Sequence, residues 1–128
     1  MTDQHKRILV VEDEPVLAHA VVEVMKQSFD ATVDLAPDGK SAAALCRENS
    51  YDLIVLDWTI PPPSGMALLQ SWRQADEHFA VLVLSGRDES EVEAASSRFG
   101  ADAYLTKPFS LVDLRERAGA LHGVADAH

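Results

Sequence analysis

Ile8-Leu9-Val10-Val11-Glu12-Asp13-Glu14-Pro15 reads as a short apolar strand that runs into three carboxylates and then into a proline suited to the first turn of a helix. The same grammar returns along the chain. Leu53-Ile54-Val55-Leu56 ends on Asp57, Val81-Leu82-Val83-Leu84 ends on Ser85, and Tyr104-Leu105-Thr106 ends on Lys107. If these runs are parallel strands, Glu12, Asp13, Asp57, Ser85 and Lys107 converge at the carboxyl edge of one sheet, where open α/β folds bind ligands. Each residue alone has a plainer explanation: acidic residues after strands cap helices, a Ser before a Gly sits in a turn, and a strand-end Lys is solvated. Their joint occurrence on one edge points to a site.

Between the apolar runs lie segments of helical period. Strands are expected near 7–11, 32–36, 53–57, 80–85 and 103–107, and helices near 15–28, 38–48, 64–76, 89–99 and 111–121. A fivefold βα alternation implies a doubly wound parallel sheet with helices on both faces and right-handed crossovers. The first, third and fourth runs are continuously apolar, as strands covered on both faces must be. Thr32-Val33-Asp34-Leu35-Ala36 and Ala103-Tyr104-Leu105-Thr106 mix polar with apolar, as edges do. The order is therefore expected to be 2-1-3-4-5, with Glu12, Asp13 and Asp57 flanking the switch-point crevice between strands one and three. Leu17, Ala20, Val21, Val24 and Met25 form the apolar face of the first helix, and Leu111, Leu114, Ala118 and Leu121 that of the last, which opens on a Ser110/Asp113 capping box. The fourth helix has only a thin stripe of Val92, Ala95 and Phe99 behind an acidic start.

With 128 residues the chain fits one domain, expected over 1–122 with a flexible tail at 123–128. A net charge of −10 and a pI near 4.7 argue against direct contact with nucleic acid or anionic membrane. No apolar run approaches the length of a membrane span, so a cytoplasmic location is expected. The single cysteine, Cys46, falls on the apolar stripe of the second helix and reads as a buried structural thiol. His5, His19, His78, His122 and His128 have no metal-ligand spacing. Trp58 is expected to be partly exposed beside Asp57, and Trp72 to pack from its helix.

Three carboxylates gathered at one point repel one another and call for a hard divalent cation; a cation with one reactive carboxylate, a Lys and a Ser makes a phosphoryl-transfer site. At this point the residues resemble a known family, the receiver domain of two-component response regulators, including its single-domain chemotaxis type. The resemblance covers nearly the whole chain. It rests on Val10-Val11-Glu12-Asp13-Glu14-Pro15, on Leu56-Asp57-Trp58-Thr59-Ile60-Pro61 with Ser64-Gly65 following, on Leu84-Ser85-Gly86, and on Gly100-Ala101-Asp102-Ala103-Tyr104-Leu105-Thr106-Lys107-Pro108-Phe109. It implies a (βα)5 flavodoxin-like fold in which Asp57 is the phosphoacceptor and Mg²⁺ is held by Glu12, Asp13, Asp57 and the backbone carbonyl of Thr59. Lys107 would supply further charge, and Ser85 and Tyr104 would act as the switch of the face made by the fourth helix, the fifth strand and the fifth helix. A cis Lys107-Pro108 bond also follows from the resemblance.

By the same resemblance the donor is a sensor histidine kinase or histidine phosphotransfer protein, docking beside the site and the first helix. A downstream output protein or domain would read the opposite face, and a phosphorylation-dependent dimer is open. Thr59 and Arg87 stand at positions that tune acyl-phosphate lifetime in the family, and Arg87 could reach the phosphoryl group or a docked partner. Ala103 stands where regulators of the winged-helix class usually carry a second Asp in the salt bridges across their dimer face. A flavodoxin-type cofactor site is disfavoured, because Glu12-Asp13-Glu14-Pro15 would repel a flavin phosphate. An aspartate-nucleophile phosphatase would need a second carboxylate where Thr59 stands. The remaining alternative is a receiver-like protein-binding module that works without phosphorylation.

Overall fold

A computed structural model describes residues 5–121, apart from the side chains of Glu91, Ala95 and Ser96. Five strands, β1 (Lys6–Val11), β2 (Ala31–Ala36), β3 (Leu53–Asp57), β4 (Ala80–Ser85) and β5 (Ala103–Thr106), alternate with five helices. The helices are α1 (Pro15–Ser28), α2 (Gly39–Glu48), α3 (Gly65–Gln74), α4 (Glu89–Phe99) and α5 (Leu111–Gly119). The strands form one parallel sheet in the order β2-β1-β3-β4-β5, as their apolar continuity predicts. The expected domain limit at 122 and the tail at 123–128 lie outside the described residues, as do His122 and His128.

Alternation along the strands divides the core. Leu9 and Val11, Ile54 and Leu56, and Val81 and Val83 face α2, α3 and α4, where Ala42, Leu68, Leu69, Trp72 and Val92 close over them. Ile8 and Val10, Leu53 and Val55, and Ala80, Leu82 and Leu84 face Val21 and Met25 of α1 and Leu114 and Ala118 of α5. The central strands β3 and β4 are buried along their whole length, whereas β2 and β5 are only partly so.

The helix starts are chemically specified. Glu14 accepts from the N–H groups of Val16 and Leu17, Asp38 from Ser41, Ser64 from Ala67 and Ser110 from Asp113. Asp38 and Ser64 thus cap α2 and α3 and lie just outside the helices, which begin one residue later than expected. At the other ends α3 stops at Gln74, with Asp76 in the left-handed region at φ 64°, and α5 stops at Gly119. Two X-Pro bonds are cis, the expected Lys107-Pro108 and also Pro62-Pro63.

Several inward assignments need correction. Leu111 is 46% exposed, at the first residue of α5, where it borders an open groove shared with Val24, Gln27 and Ser28 of α1. In α1 the buried positions are Ala18, Val21 and Met25, with Leu17, Ala20 and Val24 half-buried on its flanks. Cys46 is half-buried and packs against the α2-α3-α4 side of the core. Val92 is buried as expected, while the side chain of Ala95 is among those not described. Trp58 is 4% exposed, not partly exposed. Its N–H bonds the Leu84 carbonyl at 2.9 Å, so the β3–β4 ladder runs one residue beyond the strand and Trp58 takes the next inward place after Ile54 and Leu56. Trp72 packs from α3 as expected, edge-on to Phe79 at 5.3 Å between ring centroids.

Candidate functional site at the carboxyl edge of the sheet

Register brings the candidate residues level. Val11 pairs with Leu56, Asp57 with Leu84, and Ser85 with Thr106, so Glu12 and Lys107 each follow a strand beside the ends of β3 and β4. The period of two then sorts them. Glu12 continues Ile8 and Val10, Asp57 continues Leu53 and Val55, and Lys107 continues Ala103 and Leu105, all on the α1/α5 side of the sheet. Ser85 continues Val81 and Val83 toward the other side.

The charged residues meet as this placement requires. Lys107 Nζ donates to Glu12 Oε1 at 3.2 Å and to Asp57 Oδ2 at 3.1 Å. Glu12 and Asp57 are 2% and 1% exposed. Asp57 Oδ1 accepts from the Thr59 N–H at 3.0 Å and from the Thr59 hydroxyl at 3.2 Å, so both carboxylate oxygens are engaged. Glu12 Oε2 accepts from the Glu14 N–H at 3.1 Å. Asp13 is exposed at the rim, and one oxygen from each of Glu12, Asp13 and Asp57 lies within 4.8 Å of the others.

Three carboxylates against one ammonium leave excess negative charge. Burial, and then a side-chain hydrogen bond to Asp57, pushes the Glu12 carboxyl up to about 7. Burial works against the Asp57 charge as well, but the Thr59 N–H, Glu12 and Lys107 outweigh it and hold Asp57 below the usual carboxylate range. Lys107 stays above its ordinary value, since the pull of Asp57 and Glu12 exceeds the cost of its partial burial. Three carboxylates drawn together, two of them buried, suit a hard divalent ion, and an all-oxygen donor set suits Mg²⁺.

The remaining predicted residues lie around this centre. Ser85 is fully buried, and its hydroxyl accepts from the Arg87 N–H at 3.1 Å. Arg87 is exposed. Tyr104 is half-buried; its hydroxyl donates to Glu93 Oε2 of α4 at 3.4 Å, and its carbonyl accepts from Arg117 of α5 at 2.7 Å. Sequence reasoning missed Glu93, as well as the two hydrogen bonds by which Thr59 holds Asp57. The Asp-x-Thr spacing is an Asx-turn signal that could have revealed the second.

Comparison with known proteins agrees with this fold. A family model described as response regulator receiver domain matches residues 8–119. The chain is 36% identical over 116 residues to the transcriptional regulatory protein QseB of Haemophilus influenzae, a match covering 90% of this chain and 52% of QseB. It is 38% identical over 117 residues to the virulence transcriptional regulatory protein PhoP of Salmonella typhimurium, covering 90% of this chain and 51% of PhoP. It thus spans about half the length of the curated relatives it matches. Among solved structures, the receiver domain of the Francisella response regulator 1452 superposes with a TM-score of 0.81 at 33% identity, covering 87% of this chain and 91% of that one. Among the described residues, no helix is long and apolar enough to cross a membrane.

Proposed function

The chain belongs to the response regulator receiver family, and from that membership and the geometry of its sheet edge we propose that it takes a phosphoryl group on Asp57 in a Mg²⁺-assisted phosphorelay step. The observation that carries this reading is the Lys107 ammonium set between Glu12 and Asp57, with Asp13 at the rim. Glu12, Asp13, Asp57 and the Thr59 carbonyl are the residues that would hold Mg²⁺, whose charge offsets the carboxylates and draws in the oxygens of the donor.

The donor we propose is a phosphohistidine on a sensor kinase or phosphotransfer protein. Its P–N bond breaks as an Asp57 carboxylate oxygen bonds phosphorus, and the imidazole leaves. Thr59 and Lys107 orient the Asp57 carboxylate for that attack, and Lys107 stays within reach of the transferred oxygens. The Ser85 hydroxyl, now accepting from Arg87, turns across the sheet edge to donate to a phosphoryl oxygen. That movement draws the β4–α4 loop inward, and Tyr104 leaves Glu93 for the space vacated. The surface of α4, β5 and α5 changes shape, and an output protein or domain reads it. A low-charge phosphodonor such as phosphoramidate replaces the kinase in a test. With Mg²⁺ it should move the amide resonances of Ser85, Arg87 and Tyr104 together, and Asp57→Asn should abolish all three shifts. Shifts confined to the surroundings of Asp57 would remove the switch from this reading.

A further inference from the structure

The loop that carries Thr59 is gripped by an element outside the acidic cluster. Helix α2 starts at Gly39, whose N–H donates to the Pro61 carbonyl at 3.1 Å. A Cβ at Gly39 would lie 1.9 Å from the Pro63 carbonyl oxygen and 2.8 Å from the Pro63 nitrogen, both backbone atoms of that loop. At the far end of the loop a Cβ at Gly65 would lie 2.7 Å from the Asp57 carbonyl oxygen and 2.9 Å from the Trp58 Cα. Residues 58–64 are therefore seated between two backbone contacts that only residues without a side chain permit. Ile60, 5% exposed, anchors the middle of the same segment. Asp38 caps α2 through the Ser41 N–H at 2.7 Å and so fixes the turn from which Gly39 presses on the loop.

We infer that Gly39 is a positioning residue for the phosphoacceptor site: by admitting the Pro61–Pro63 backbone against the first turn of α2, it sets the height of Thr59 beside Asp57 and Mg²⁺. The inference rests on the proposed role of the acidic cluster as a Mg²⁺ site. Thr59 is the link, since its N–H and hydroxyl hold Asp57 Oδ1 while its carbonyl is the proposed metal ligand. Pro63 cannot move from a Cβ at residue 39 without carrying Pro61, Ile60 and Thr59 with it through a proline-stiffened chain. A helix-start glycine with open space around it behaves in the opposite way, because Ala is the better helix former and Gly→Ala there would stabilise the protein.

The test compares wild type, Gly39→Ala, and Val21→Ala, which thins the core on the far side of the sheet. Melting curves, Mg²⁺ titrations by calorimetry, and amide spectra without metal are recorded on the whole chain. Gly39→Ala should melt lower than wild type, bind Mg²⁺ roughly 10-fold more weakly, and show displaced Trp58 and Thr59 amides before any metal is added. Val21→Ala should melt lower while keeping the wild-type Mg²⁺ affinity. A folded Gly39→Ala protein with wild-type Mg²⁺ affinity and an unmoved Thr59 amide overturns the inference. Should Gly39→Ala fail to fold, Pro63→Gly loosens the same loop without adding atoms and should weaken Mg²⁺ binding; wild-type affinity in that variant overturns the inference equally. No Mg²⁺ binding by the wild type would overturn the metal reading itself, and this inference with it, which the first titration reveals before any variant is compared.

Discussion

At the scale of single residues, Lys107 bridges two buried carboxylates and competes with any cation for them. Lys107→Ala should therefore bind Mg²⁺ more tightly than wild type, yet accept a phosphoryl group from a small donor roughly 100-fold more slowly, as loss of a charge-stabilising donor predicts. Calorimetry and a phosphorylation time course separate the two effects. Cys46 gives a pH prediction. Burial, and then the Glu77 charge, pushes its thiol from an ordinary 9.0 up to about 12. At pH 8 the folded protein should be alkylated far more slowly than the unfolded chain. A thiol held protonated by folding contributes stability in full below pH 9.0, and that contribution is lost as pH rises toward about 12. Cys46→Ala should accordingly flatten the decline in stability across that alkaline window. Most of the charged site was legible in the sequence, because Glu12, Asp57 and Lys107 stand where the strand runs end, on one edge of the sheet. The partners of Thr59 and Tyr104 were less so: Glu93 lies 11 residues from Tyr104, and that pairing exists only once α4 packs against β5.

At the scale of elements, the strands were more legible than the helix faces. Continuous apolarity in β1, β3 and β4 separates interior from edge and fixes the order, whereas a helix stripe shows which residues could face inward without showing where the sheet ends. In α5, Leu114 is fully buried while Leu111, three residues earlier on the same stripe, is 46% exposed. Leu114→Ala should cost roughly 2–5 kcal/mol in urea unfolding, and Leu111→Ala within about 1 kcal/mol. Equal losses would restore Leu111 to the core. Trp58 gives the converse lesson. A loop position was expected to expose it, but the ladder bond to Leu84 extends the strand geometry by one residue and turns the indole inward. Alternation also separates the roles of the two faces. The carboxylates and Lys107 continue one face of the sheet, Ser85 and Tyr104 belong to the other, and the proposed phosphoryl group would join them across the edge.

At the scale of the molecule, the −10 net charge and the three gathered carboxylates make the metal-free fold work against its own electrostatics. A ligand that binds only the folded state stabilises it by mass action, so free Mg²⁺ at ten times its Kd should add about 1.4 kcal/mol. The melting temperature should rise by a few degrees, and Asp13→Asn should blunt the rise. Equal melting with Mg²⁺ and with chelator would count against the cluster as a metal site. The phosphoacceptor itself is tested by intact mass after incubation with phosphoramidate and Mg²⁺, beside Asp57→Asn and a chelator control. The account predicts one phosphoryl adduct on the wild type that requires Mg²⁺ and is absent from Asp57→Asn. An unmodified wild type under conditions that modify another receiver, or an adduct that persists in Asp57→Asn, would contradict it.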